Sequence, residues 1–270
     1  MTDDERIEFV RDGAVAHLWL NRPQRRNAFD DRTITALDRA LDTALADPGV
    51  RCIILGGRGS AFCAGGDLDW MRRARDFTAH EAHEDSLRLA RLLRRIHDSP
   101  KPVIARVHGA CFAGGLGLAA AARLAVASDD TRFCLSEVRL GLVPAVISPY
   151  VVAAIGARQA RRYFLTAEVF DAAEARRIGL VHEVVPGERL DERLASFVER
   201  LSQAGPDALR EAGQLIDSVA GRALDDALLD ETAAWITRLR TSDEAQEGIA
   251  AFFEKRAPHW LADGRSRTDP

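Results

Sequence analysis

The chain has 270 residues, 47% hydrophobic and 29% charged, with a net charge of −4. A chain of this length hides most of its unfolded surface, enough for one large domain or a domain with an appendage. The acidic balance excludes a global basic field for nucleic acid, so an anionic ligand must rely on local cations and backbone donors.

Cys52, Cys63, Cys111 and Cys134 are far apart and form no CxxC pair. Metal-site spacing is missing, and the four read as reduced thiols in apolar surroundings. The start, MTDDERIEF, lacks an apolar run, and no later stretch approaches the ~20 apolar residues of a membrane span. A soluble cytoplasmic protein is expected.

Strand-like runs at Ile7–Val10 and Ala14–Leu20 flank Asp12-Gly13 and predict a β-hairpin. Asp30 or Asp31 then caps a helix with Ile34, Leu37, Leu41 and Ala44 at helical spacing, stopped by Asp47-Pro48-Gly49. Arg51–Leu55 predicts a buried strand, followed by the glycine-rich loop GGRGSAFCAGGD and a helix from Leu68. A further helix is predicted over Glu81–His97 and a buried strand over Val103–Val107. The turn HGACFAGG leads into an Ala/Leu helix over Gly115–Arg123, then strands at Leu124–Ala127 and Arg132–Leu135 and a loop carrying Glu137. Strands and helices alternating in this way predict an α/β core built from crossover units. From Glu188 onwards the pattern turns helical, over Leu190–Gln203, Pro206–Val219, Leu224–Arg238 and Asp243–Glu254, and the final SRTDP is expected to fray.

Both glycine-rich turns follow a strand and precede a helix, which leaves unpaired N–H groups where an anion or a developing oxyanion is favoured. Taken alone, each turn is equally well explained by close packing of helix on strand. GxGxxG with its downstream acid, the Walker phosphate loop and the GxSxG nucleophile elbow are all missing.

Six stretches carry a family resemblance: NRPQRRNAF (Asn21–Phe29), AFCAGGDL (Ala61–Leu68), HGACFAGGLGLA (His108–Ala119), SEVRLGLVP (Ser136–Pro144), AEVFDAAEARRIGLVHEVVP (Ala167–Pro186) and EGIAAFFEKRAPHW (Glu247–Trp260). In this order and at these intervals they resemble the crotonase (enoyl-CoA hydratase/isomerase) superfamily over nearly the whole chain. The resemblance implies an α/β spiral of ββα repeats over residues 1–195, which carries the acyl-CoA site. It also implies a helical region over residues 196–270 that assembles trimers or dimers of trimers.

By the same resemblance the backbone N–H groups of Gly66 and Gly114 grip the thioester oxygen, and Glu137 is the catalytic acid/base. Enolate chemistry needs such donors, and losing one typically costs ~100-fold or more. A second glutamate is frequent in the family at the position of Gly117, and this chain lacks it. Glu137 must then act alone or with help from elsewhere. A carboxyl beside an apolar acyl pocket should have a raised pKa; without the resemblance, Glu137 reads as a solvated loop carboxylate.

One carboxylate suits a Δ3,Δ2-isomerase, and it can serve syn hydration if it both positions water and returns the proton. The stretch Ser136–Val152 is most similar to hydratases acting on 3-methylglutaconyl-CoA in leucine and isoprenoid breakdown, which makes hydration the first expectation. A third possibility is acyl-CoA binding with little catalysis. Arg72, Arg73 and Arg75 could meet a distal substrate carboxylate, although three arginines on one helix usually form a solvated face.

For the CoA moiety the resemblance implies Arg25 and Arg26 near the phosphates and Ala64, Asp67 and Leu68 near the adenine. Phe252 and Lys255 would cover the nucleotide end. Coenzyme A is then part of the substrate, and no separate cofactor or metal is expected. His108 reads as a packing and hydrogen-bonding residue, Cys63 and Cys111 as small apolar filler, and Trp70 and Met71 as acyl-pocket or core residues.

Overall fold

The computed structural model describes residues 6–261, so the frayed end expected at SRTDP and the first five residues lie outside it. Strands β1 (Ile7–Asp12) and β2 (Val15–Leu20) pair antiparallel across Gly13, whose φ of +54° suits glycine. Helix α1 (Asp31–Ala46) starts at Asp30, whose carboxylate accepts from the Thr33 N–H at 2.9 Å. Strand β3 (Cys52–Gly57) is buried throughout because parallel neighbours flank it on both sides.

Next come β4 (Ala61–Cys63), α2 (Leu68–Arg73) and α3 (Ala79–His97), the last opened by a Thr78/Glu81 capping box. Strands β5 (Val103–Val107) and β6 (Ala110–Phe112) lead to α4 (Gly114–Ala121). Strands β7 (Leu124–Ser128) and β8 (Arg132–Cys134) are followed by a 3-10 turn over Glu137–Leu140 and α5 (Ser148–Thr166). The remaining elements are β9 (Phe170–Asp171), α6 (Ala172–Arg177), β10 (Glu183–Val185), α7 (Leu190–Gln203), α8 (Pro206–Val219), α9 (Asp226–Arg240) and α10 (Asp243–Phe253).

Two sheets result. One has the order β1-β2-β3-β5-β7-β10 and is parallel except for the opening hairpin; the other has the order β4-β6-β8-β9. The pairs β3/β4, β5/β6 and β7/β8 each give one strand to each sheet before the chain turns into helix. That is a spiral of ββα repeats in a mixed α/β fold.

The short strands β4 and β6 lie inside what the sequence suggests are glycine-rich loops. At three residues each, they are too short for an alternating pattern to show. Helix α4 starts one residue earlier and ends two earlier than expected, because Ala122 turns to extended backbone. Helix α9 is shifted two residues on, since Asp225 caps it through the Leu228 N–H and leaves Leu224 outside, exposed. Helix α5 is kinked at Gly156, which has φ +70°.

The chain divides into two compact units, one ending at Ala195 and the other beginning at Ser196. In the first, Leu18, Leu55, Leu93, Val107, Leu116 and Tyr163 belong to one continuous core. In the second, buried Glu211 pairs with Arg210 and Arg238, and Leu239, Ile249, Phe252, Phe253 and Trp260 line an open apolar groove of about 390 Å³. Among the described residues no helix is long and apolar enough to cross a membrane.

Candidate active site

The segment Arg22–Phe29 is clasped to the first glycine turn by hydrogen bonds from Arg22, Arg26, Asn27 and Phe29. Buried Asn27 donates from Nδ2 to the carbonyls of Ala61 (2.7 Å) and Arg58 (2.8 Å), and its Oδ1 accepts from the Arg22 N–H. The guanidinium of Arg22, buried as well, donates to the Ala28 carbonyl at 2.5 Å and to Asp67 Oδ2 at 2.9 Å. The Ala64 N–H bonds to Arg26 O. Phe29 forms a parallel bridge around Gly66: its N–H donates to Gly65 O (2.9 Å), and its carbonyl accepts from the Asp67 N–H (2.8 Å). The N–H of Gly66 itself takes no part in that pairing.

Side chains crowd the glycines of both turns, the flexible end of Met71 at the first and the buried Phe29 ring at the second. A Cβ on Gly66 would stand 2.7 Å from Met71 Cε, with the Trp70 ring just beyond at 3.6 Å. A Cβ on Gly114 would collide with the Phe29 ring, 2.8 Å from Cε1. Gly114 is the first residue of α4, so its N–H has no helical acceptor and lies at the positive end of the helix dipole. The preceding Ala113 has φ +48°, a conformation costing about 1–3 kcal/mol for a residue with a side chain. It is held there by its N–H bond to Cys134 O at 2.8 Å.

That bond also links the second turn to the strand that leads to Glu137. The 3-10 turn opening at Glu137 closes on Gly141 at φ +74°, and Arg139 Nη2 fixes it to Ala167 O at 2.7 Å. Glu137 is half-buried, and its Oε2 is enclosed without a hydrogen-bond partner. Desolvation pushes its pKa up, only partly opposed by a bond from its own backbone N–H. The expected solvated alternative for Glu137 does not fit this environment.

Contacts in the first unit therefore connect Gly66, Gly114 and Glu137. A Cβ on Gly65 would stand 3.0 Å from the Cβ of Ala113, so the two glycine turns meet directly. At Gly117, one turn into α4, a Cβ would collide with Ile147, 2.7 Å from its Cβ. No second carboxylate occupies that position; buried Ile147 fills it.

The other candidates are arranged as follows. Arg25 is exposed and paired with Asp69 at 2.9 Å, and Arg26 is exposed beside it. Ala64 is half-buried, and Leu68 is exposed at the start of α2. The Asp67 side chain is committed to Arg22 and to capping α2 through the Asp69 and Trp70 N–H groups, so any ligand contact there falls to its backbone. Arg72 pairs with Asp69 and Arg73 with Asp31, both at the surface. Phe252 and Lys255 belong to the second unit, where exposed Phe252 lies edge-on to Phe253.

His108 has its Nε2 2.9 Å from the Gly59 carbonyl, and burial lowers its pKa, so it is a neutral donor in a structural bond. All four cysteines are free and buried, and burial pushes Cys63 up to about 12. Sequence reasoning passed over Arg22, Asn27, Phe29 and Ile147. The first three lie within NRPQRRNAF, and that motif is the one sequence signal for them; the buried pair of Arg22 with Asp67 shows only in the fold.

Residues 11–263 match the family described as enoyl-CoA hydratase/isomerase. The chain belongs to that family. Similar solved structures of the family extend over the whole fold. An enoyl-CoA hydratase from Shewanella pealeana is 39% identical over 94% of this chain and 96% of its own, with TM-score 0.92. AtuE of Pseudomonas aeruginosa is 36% identical over 95% of this chain and 100% of its own, with TM-score 0.89. A Legionella pneumophila member is 45% identical over 95% of this chain and 99% of its own, with TM-score 0.89. As an enoyl-CoA hydratase/isomerase family enzyme, the chain is suited to an acyl-CoA thioester substrate.

Proposed function

We propose that the protein adds water to an α,β-unsaturated acyl-CoA thioester, with 3-methylglutaconyl-CoA as the leading substrate. The observation that carries this reading is Glu137, a desolvated carboxyl with one oxygen unpartnered, connected through the Ala113–Cys134 bond to the N–H of Gly114. The N–H groups of Gly66 and Gly114 receive the thioester oxygen and stabilise the enolate as charge develops there. Glu137 takes a proton from water as that oxygen attacks the β-carbon, then returns the proton to the α-carbon on the same face. Water adds across the double bond and the carboxylate is regenerated.

Arg25 and Arg26 serve the phosphates and the backbone at Ala64, Asp67 and Leu68 the adenine, with Phe252 and Lys255 of a neighbouring subunit covering the nucleotide end. The second unit assembles trimers or dimers of trimers in the cytoplasm.

Ile147 at the Gly117 position favours a second reading, a Δ3,Δ2-enoyl-CoA isomerase in which Glu137 moves one proton between carbons and no water is held. Turnover of 3-methylglutaconyl-CoA, crotonyl-CoA and 3-hexenoyl-CoA by wild type and Glu137→Gln separates the two. Hydration that collapses in the variant supports the first, and isomerised hexenoyl product without added water supports the second. Tight binding of all three without turnover would leave only an acyl-CoA-binding role.

A further inference from the structure

We propose that Phe29 is a positioning residue that sets the spacing between the N–H groups of Gly66 and Gly114; this rests on the oxyanion role proposed for those glycines. Its backbone and its ring hold different turns. The backbone bonds on either side of Gly66, to Gly65 O and from the Asp67 N–H, fixing the first turn in register. The ring occupies the space a side chain on Gly114 would need, with Cζ nearest and Cε1 and Cε2 at 2.8 and 3.5 Å from the Cβ position.

One buried residue, 4% exposed, thus spans both donors. Trp70 completes the set: its ring lies 6.1 Å from the Phe29 ring at a 54° tilt and also packs at Gly66. Arg22 and Asn27 keep the segment from drifting, since the first binds the Ala28 carbonyl and the second the Ala61 carbonyl.

Two donors aimed at one oxygen are effective only while their separation is held, and misplacement by about 1 Å costs on the order of 100-fold in rate. A smaller side chain at position 29 would let the start of α4 settle towards the vacated space. A longer one would push Gly114 away, because the hydroxyl of tyrosine extends from Cζ, the ring atom nearest the Cβ position at Gly114.

The test compares wild type, Phe29→Leu, Phe29→Tyr and, as a packing control, Phe170→Leu, since Phe170 is also buried and stacks on Phe133. Two quantities are read: the red shift of the carbonyl stretch of 13C-labelled crotonyl-CoA on binding, and kcat and KM for the substrate that wild type turns over. In both Phe29 variants the red shift should shrink and kcat fall by about 10- to 100-fold, with KM within about threefold. Phe170→Leu should lose thermal stability while keeping the red shift.

If Phe29→Leu and Phe29→Tyr both keep the wild-type red shift and lose no more kcat than Phe170→Leu, Phe29 is a packing residue and the inference is overturned. A wild type that binds the thioester with no red shift would instead remove the oxyanion role of the glycines themselves.

Discussion

Ile147 fills the space into which a side chain at Gly117 would project. A Cβ on that glycine would stand 2.7 Å from the Ile147 Cβ and closer still to its Cγ2, and Ile147 is buried with little room to retreat. The missing glutamate is therefore not a gap in the site; its volume belongs to a hydrocarbon. Gly117→Glu alone should lose stability, since overpacking a core typically costs about 1–3 kcal/mol. Combined with Ile147→Ala the same glutamate should fit and recover most of that loss. Urea denaturation of the two single variants and the pair measures the coupling, and strict additivity would show that Ile147 is not the obstacle.

The raised pKa of Glu137 gives activity a pH signature. Burial favours the neutral carboxyl, whereas both hydration and isomerisation begin from the carboxylate. The acid limb of kcat/KM should therefore lie above the ordinary glutamate value of 4.5 and vanish in Glu137→Gln. The linkage has the matching sign. A folded-state pKa above the unfolded one contributes stability at low pH, which is lost as pH rises from 4.5 through the folded value. Glu137→Gln should thus be relatively more stable than wild type at neutral pH than at pH 4.5.

Arg22 and Asp67 form a buried pair 2.9 Å apart, and the same arginine holds the Ala28 carbonyl. Burial alone would raise the Asp67 pKa, but bonds from the Trp70 N–H, Arg22 and the Asp69 N–H reverse it, and the net shift is downward. Arg22→Met should destabilise the fold by about 3–5 kcal/mol, because Asp67 stays buried without its cation. Chemical denaturation at pH 7 checks this. The stability that ionised Asp67 contributes is present above 3.8 and should be lost as pH falls through its lower folded value.

The thiols should be silent. Burial pushes Cys52 and Cys63 up to about 12 and raises Cys111 and Cys134 as well. An aromatic disulfide reagent at pH 8 should label none of the four in the native protein and all four in denaturant. Rapid native labelling at Cys63, beside the first glycine turn, would show that the turn opens on its own.

The opening hairpin, the buried strands β3 and β5, helices α1 and α3 and the helical character of the last third follow from periodicity, caps and turn residues, all local in sequence. The glycine turns and Glu137 were legible only through motifs that resemble the family, since Glu137 by itself reads as a solvated loop carboxylate and a glycine turn by itself as close packing. Strands β4 and β6 were not, since strands of three residues carry no period.

What the sequence alone determined is the residue inventory: two glycine turns before helices, one glutamate and a glycine where a second acid is usual. Only the tertiary structure decided what those residues meet. Phe29 touches Gly114, 85 positions away, and Ile147 fills the space beside Gly117, 30 positions away, because the spiral brings successive repeats into contact. Glu137 owes its raised pKa to enclosure by the folded chain, and desolvation is a property of surroundings that no local pattern encodes.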